Sequence, residues 1–211
     1  MVALSECSSD KEINELSSMP PITRTLIYAN AGVFLIQNLA GSAVEFSFAL
    51  WPLGTPLFHP WQLLTYGFMH ATFSHLFFNM FALYMFGADI ERVLGAQRYL
   101  NYYLVSVIGA AVMQLLVTSV IAGPPLPTVG ASGGVFGLLL AFGMFFPQRR
   151  IMLLIPPIPM RAWVFVTLYG LVELAMGVLG TEQGVAHFAH LGGMLAGFLL
   201  LNHWRKQSDQ E

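Results

Sequence analysis

The stretch TVGASGGVFG, residues 128–137, carries one serine, Ser132, among four glycines at the head of an apolar run. A serine is a weak nucleophile until a neighbouring base takes its proton. His190 heads the last apolar run, and an imidazole, with its ordinary pKa near neutrality, suits that role. A tetrahedral oxyanion would need donors. The Ser132 backbone N–H is one, and His75 and Asn79, spaced i and i+4, share a helix face and supply two more. Other chemistries are removed by elimination. There is no His-Glu-x-x-His for a metalloprotease. Asp10 and Asp209 lie in the tails, so Asp89 has no partner for a carboxylate pair. Lys11 and Lys206 also lie in tails, which removes a Ser–Lys pair. No carboxylate is obviously placed to orient His190, so the residues read as a dyad rather than a triad.

These groups must be positioned by elements of an unusual kind. Hydrophobic residues make up 56% of the 211 and charged ones only 9%, against about 25% charged in a soluble domain. So few charges cannot cover a water-facing surface, so the chain reads as a multi-pass membrane protein. The net charge of −2 says nothing useful about nucleic acid, but no basic cluster of that kind exists, so no nucleic-acid partner is expected. Apolar stretches at about 25–42, 73–90, 97–121, 132–146, 161–179 and 186–204 give six candidate spans. They are too long and continuous for barrel strands. Breakers separate them: Pro52, Pro56 and Pro60, then Pro124, Pro125 and Pro127, then FPQRR at 146–150 and PPIP at 156–159. Residues 1–21 form a polar tail without the basic start of a signal peptide, 22–204 a six-span membrane domain, and 205–211 a short tail.

With the N-terminus cytoplasmic, all nine Lys and Arg residues fall on the inner side. Spans two, four and six then run from outside to inside. Their first turns hold His75 and Asn79, Ser132, and His187 and His190, all in the outer leaflet. The fourth span is short: Ser132 to Phe146 is about 22 Å of helix. Its lower end is held by Arg149 and Arg150, so Ser132 is predicted below the outer surface, at a helix start beside a wet cavity.

Each signal has a plainer reading. Gly130, Gly133, Gly134 and Gly137 fit small-residue helix packing equally well, which can coexist with catalysis. Gly193 and Gly197, at i+3 and i+7 from His190, make a smooth strip that would let spans four and six approach. A lone buried histidine is more often structural, and Asn79 alone is more often interhelical glue. His59, His70 and His187 are individually uninformative. No two histidines make a familiar ligand pair, so no metal is expected. The single cysteine, Cys7, lies in the tail and excludes an internal disulfide.

Taken together, these residues resemble the rhomboid family of intramembrane serine proteases. GASGG at 130–134 resembles its Gly-x-Ser-Gly motif, which implies Ser132 as nucleophile. AHLGGMLAG at 189–197 resembles its last-span Ala-His-x-x-Gly-x-x-x-Gly, which implies His190 as base. HATFSHLFFN at 70–79 resembles its second-span pattern and implies oxyanion roles for His75 and Asn79 and a loop-bracing role for His70. HPWQLLTYGFMH at 59–70 resembles the long first loop, and GADIERVLG at 87–95 the glutamate-containing end of the second span. Two departures stand out. Trp61-Gln62 replaces the frequent Trp-Arg of that loop, and Phe136 occupies a position where some members stack a tyrosine on the histidine.

The resemblance implies an all-α, six-helix bundle with both termini cytoplasmic, set in a bacterial inner membrane with its site open to the outer face. It implies cleavage of transmembrane protein substrates at small residues near helix-weakening ones. It also implies lateral entry past the first loop and fifth span, and no metal or organic cofactor. A catalytically silent, client-binding relative would lack the serine, the histidine or both, and this chain keeps both. A small transporter would show paired repeats with broken helices, and none is visible.

Overall fold

The computed structural model describes residues 19–120, 126–152, 158–180 and 186–208. Cys7, Asp10 and Lys11 of the tail, Pro124, Pro125, Pro156, Pro157 and Asp209 lie outside the described residues. Helix α1, Pro21–Ala40, opens with proline in its first turn, where the missing N–H costs no hydrogen bond. A short α2, Ser42–Phe48, leads into the first loop, which holds α3, Gln62–Thr65, and a 3₁₀ turn over Tyr66–Phe68. Helix α4, Phe73–Ala82, runs without a break through a π turn at Leu83–Gly87 into α5, Ala88–Leu94. Gly95, at φ 74°, turns the chain into α6, Ala96–Val120. Helix α7 is Ser132–Phe145, α8 is Ala162–Leu179 and α9 is His187–Ser208. Helix α9 runs past residue 204, through the Arg205 and Lys206 that sequence reading assigns to a tail.

Each of the six apolar stretches forms a helix, with one departure from an all-α chain. Between α7 and α8, β1 (Arg150–Met152) and β2 (Pro159–Arg161) pair antiparallel, with Arg150 opposite Arg161. Helices α6 and α8 are long and apolar enough to cross a membrane by length and composition. Helix α7 is equally apolar but has only 14 residues, about 21 Å against about 37 Å for α6.

The centre of the bundle is aromatic. Tyr66, Tyr99, Tyr102 and Tyr103 are fully buried. A buried phenol needs a partner for its hydroxyl. Tyr66 donates to the Val107 carbonyl and Tyr102 to the Gly137 carbonyl, each at 2.7 Å. The Tyr102 bond ties α6 to α7. The Tyr66 bond ties the first loop to α6.

Close helix approach depends on absent side chains. A Cβ on Gly193 of α9 would collide with the Gly133 carbonyl oxygen of α7. A Cβ on Gly197 would collide with the Tyr102 hydroxyl. The strip on α9 therefore serves two neighbours. Gly193 admits α7, as its spacing suggests, whereas Gly197 admits α6.

At one end of the bundle a buried carboxylate sets a clamp. Glu91 is 3% exposed and accepts from Ile22 N at 2.9 Å, Thr23 N at 2.7 Å and Thr23 Oγ1 at 2.8 Å. Two free N–H groups at the start of α1 thus find an acceptor on α5. Basic residues gather at the same end. Arg149 pairs with Asp89 at 2.6 Å, and Arg98 stacks over Trp204 at 5.7 Å. The α4–α5 helix, α7 and α9 all finish at this end, so their first turns meet at the other.

Two stability outcomes are expected. Gly193→Ala forces a side chain against backbone that cannot rotate away, and such overpacking costs about 1–3 kcal/mol. Glu91→Ala leaves the Ile22 and Thr23 N–H groups without an acceptor, at about 1–3 kcal/mol each. Both variants should lower the midpoint of thermal unfolding in detergent, with Glu91→Ala the lower of the two. A midpoint unchanged in either variant would contradict the contact described for it.

Candidate active site

The first turns of α4, α7 and α9 build one polar cluster in otherwise apolar surroundings. Thr72 caps α4, its hydroxyl accepting from the His75 N–H at 3.1 Å, which starts the helix at the residue the site uses. Before α7, Gly130 has φ 134°, a conformation that side chains rarely adopt. A Cβ there would also lie 2.8 Å from His75 Cε1. Gly130 N donates to the Tyr66 carbonyl at 3.0 Å, and Leu50 and Thr128 exchange backbone hydrogen bonds at 2.9 and 3.0 Å. These bonds pin the segment leading to Ser132 onto the first loop.

Ser132 is the first residue of α7, so its hydroxyl stands beside N–H groups that no helical carbonyl satisfies. Its Oγ lies 2.8 Å from His190 Nε2. His190 is buried, 8% exposed as a residue, and its ring stacks on Phe136, with centroids 4.1 Å apart and planes 6° from parallel. Phe136 sits one turn after Ser132, so one helix supplies both the hydroxyl and the face that orients its partner. The ring stacks without a hydroxyl.

A third group meets His190. Glu173 of α8, 4% exposed, places Oε2 at 2.8 Å from His190 Nδ1 and at 2.7 Å from His187 Nδ1. Sequence reading finds no carboxylate to orient His190, and the structure corrects that. Glu173 lies on another helix, 17 residues away, and only the packing of α8 on α9 brings it in. One signal was available: Glu173 is the one acidic residue inside the apolar stretch 161–179, and an ionisable group there implies a role. His187, uninformative alone, shares the same oxygen.

The other predicted residues are placed as follows. His75 and Ser132 Oγ both face Gly130, the latter 3.5 Å from where a Cβ would stand. Asn79 is buried, and one amide N–H donates to the His75 carbonyl at 3.0 Å. That leaves one amide donor. His70 is 2% exposed, and its ring meets His75 edge-on at 5.1 Å. Neither ring nitrogen of His70 has a partner among the described residues. Residue 70 is held through its backbone, exchanging hydrogen bonds with Gln37 of α1. Gly193 and Gly197 stand outside the cluster and set helix spacing.

Gln62 accounts for the first loop without an arginine. It is fully buried. Its Oε1 accepts from Trp51 N at 3.2 Å, and its Nε2 donates to the Leu57 carbonyl at 2.8 Å and the Ser47 carbonyl at 3.3 Å. Trp61 Nε1 donates to the same Ser47 carbonyl at 2.9 Å. A neutral amide knots the loop where a guanidinium would have to be buried.

Glu173, His187 and His190 are also the one set among the described residues whose donor atoms could converge on a metal, all within 4.8 Å of one another. Their 2.7–2.8 Å spacings are those of charge-assisted N–H···O bonds. Donors around a tetrahedral zinc stand about 3.3 Å apart. The trio as arranged is a hydrogen-bonded one.

Comparison with known proteins bears on this arrangement. A family model described as the Rhomboid domain matches residues 57–205, well over half of the chain. The chain is 37% identical over 139 residues to "Rhomboid protein 1, mitochondrial" of Saccharomyces cerevisiae, a match covering 63% of this chain and 38% of that protein. It is 26% identical over 183 residues to "Rhomboid protease GlpG" of Photorhabdus laumondii, covering 85% of this chain and 60% of that one. It is 28% identical over 138 residues to "Rhomboid protease GluP" of Bacillus subtilis, covering 65% and 25%. The matches thus span less than two thirds of each of these relatives. With the helix-start serine, the histidine beside it and a matched domain across most of its length, the chain belongs to the rhomboid family, and so to the integral membrane proteins.

Proposed function

We propose that the chain is an intramembrane serine endopeptidase that cleaves transmembrane protein substrates in or near their membrane-spanning segments. The observation that carries this reading is the 2.8 Å contact of Ser132 Oγ with His190 Nε2 at the N-terminus of a buried helix. The printed names of two relatives, rhomboid proteases of Photorhabdus laumondii and Bacillus subtilis, support it.

In this reading His190 Nε2 accepts the Ser132 proton as Oγ attacks the scissile carbonyl carbon. The carbonyl oxygen takes the negative charge. The Ser132 N–H, the His75 ring and the remaining Asn79 N–H donate to it, and the dipole of α7 adds to their effect. The C–N bond then breaks, and the departing amine takes the proton from His190. Water attacks the Ser132 ester, His190 removes its proton, and the released serine regains one.

The chemistry sets the topology that we propose. Residues 22–204 form one six-span membrane domain with both termini cytoplasmic. The basic end of the bundle faces the cytoplasm and the Ser132 end the outer face. Water reaches Ser132 from that face, beside the first loop. We place this domain in a bacterial inner membrane, while similar proteins include one named mitochondrial and one named chloroplastic. Substrates enter laterally past the first loop and α8, and those with small residues at the cleaved bond and a weakened helix fit a serine set below the surface.

The test is fluorophosphonate labelling of the detergent-purified protein read by intact mass. Native protein should gain one adduct. Ser132→Ala should gain none, and His190→Ala should label at least about 10³-fold more slowly, the loss typical of removing such a base. A folded native protein that takes no label would instead favour a client-binding member of the family.

A further inference from the structure

Resting on the Ser132–His190 reading, we propose that Glu173 is a positioning residue that turns the dyad into a relay of three. Its carboxylate holds His190 in the tautomer that can accept the serine proton, and His187 in turn holds the carboxylate.

Helix α8 is a strongly apolar element, and a carboxylate buried in it is expensive unless its charge is met by donors. Glu173 is 4% exposed, and its Oε2 meets two nitrogens, His187 Nδ1 at 2.7 Å and His190 Nδ1 at 2.8 Å. An ionised carboxylate only accepts. Both histidines must then carry their proton on Nδ1. For His190 this leaves a bare lone pair on Nε2, the atom 2.8 Å from Ser132 Oγ. The other tautomer would put an N–H there and could not act as a base.

The geometry also removes the ring's freedom. His190 is held at Nδ1 by Glu173, at Nε2 by Ser132 and on its face by Phe136. Three constraints of different kind fix position, tautomer and plane. When His190 becomes cationic during the reaction, the same carboxylate stabilises it without moving.

His187 supplies the second donor. Its ring stands nearly perpendicular to that of His190, at 85°, with centroids 6.4 Å apart. The two N–H groups therefore reach one oxygen from different directions. With two bonds on Oε2, the carboxylate is held against rotation. The three residues bridge α8 and α9, and α8 is the helix beside which substrates enter in the proposed function. Glu173 would thus tie the readiness of His190 to the position of that helix.

The test compares native protein with Glu173→Gln and Glu173→Asp, using fluorophosphonate labelling rates and cleavage of a transmembrane-segment reporter. Glu173→Gln keeps size and removes charge, and kcat is expected to fall by about 10³- to 10⁴-fold with KM within about threefold. Glu173→Asp, which keeps the charge at shorter reach, should recover at least about tenfold over Gln. A merely structural carboxylate would change folding or KM and not kcat alone. A Glu173→Gln enzyme within about fivefold of native in both readouts would overturn the proposal. If Glu173→Gln does not fold, ¹⁵N-histidine NMR of the native protein decides. Nδ1–H with bare Nε2 at His190 supports it, and the opposite tautomer overturns it. A folded native protein that takes no label would fail the Ser132–His190 reading itself. Labelled native protein with an equally reactive Glu173→Gln would fail this inference alone.

Discussion

The contact of Gly193 with Gly133 is the constraint on which the site depends. Ser132 precedes Gly133 by one residue on α7, and His190 lies almost one turn before Gly193 on α9. Where backbone meets backbone, the helix axes approach as nearly as helices can, and Oγ falls 2.8 Å from Nε2. A methyl group at that crossing would push the helices apart by more than a hydrogen bond tolerates. Packing and chemistry are therefore not rival readings of the glycines around Ser132. The packing is what makes the serine and histidine neighbours.

The remaining polar groups follow from the apolar setting. A chain with few charges must meet most of its buried polar groups internally, and several of them do so by linking separate elements. Glu91 collects the open N–H groups of α1, Tyr66 and Tyr102 reach across to carbonyls, and Gln62 knots the first loop. Each bond is strong where water is scarce, and each fixes one element relative to another. Glu173 obeys the same rule. It differs in that one of its donors is the ring that meets the serine and the other is the His187 ring beside it.

The basic end of the bundle and the polar end do different work. Arg149 with Asp89, Arg98 over Trp204 and Glu91 with Thr23 close one end. The other end leaves a helix N-terminus, a hydroxyl and imidazoles facing one another. Three helices running in one direction make that separation inevitable: their starts share one end and their finishes the other.

Composition, period and spacing alone determined the helices, the charge asymmetry and the convergence of Ser132, His190, His75 and Asn79 on one end. These are properties of single segments: a run of apolar residues forms a helix wherever it lies, and the placing of Lys and Arg sets the direction of each span. Only tertiary structure decided the partners. Glu173 and His190 are 17 residues apart and sit on different helices, so no periodicity could pair them. Gly197 lies on the same strip as Gly193, yet it admits α6 rather than α7, because the strip is wide enough to meet two neighbours. Gln62 shows its role only when buried, since its three bonds go to backbone that carries no sequence signature. The two-stranded ribbon between α7 and α8 was also invisible, because three-residue strands leave no period to read. Side-chain types record what a residue can do, and packing across helices decides which residue it does it with.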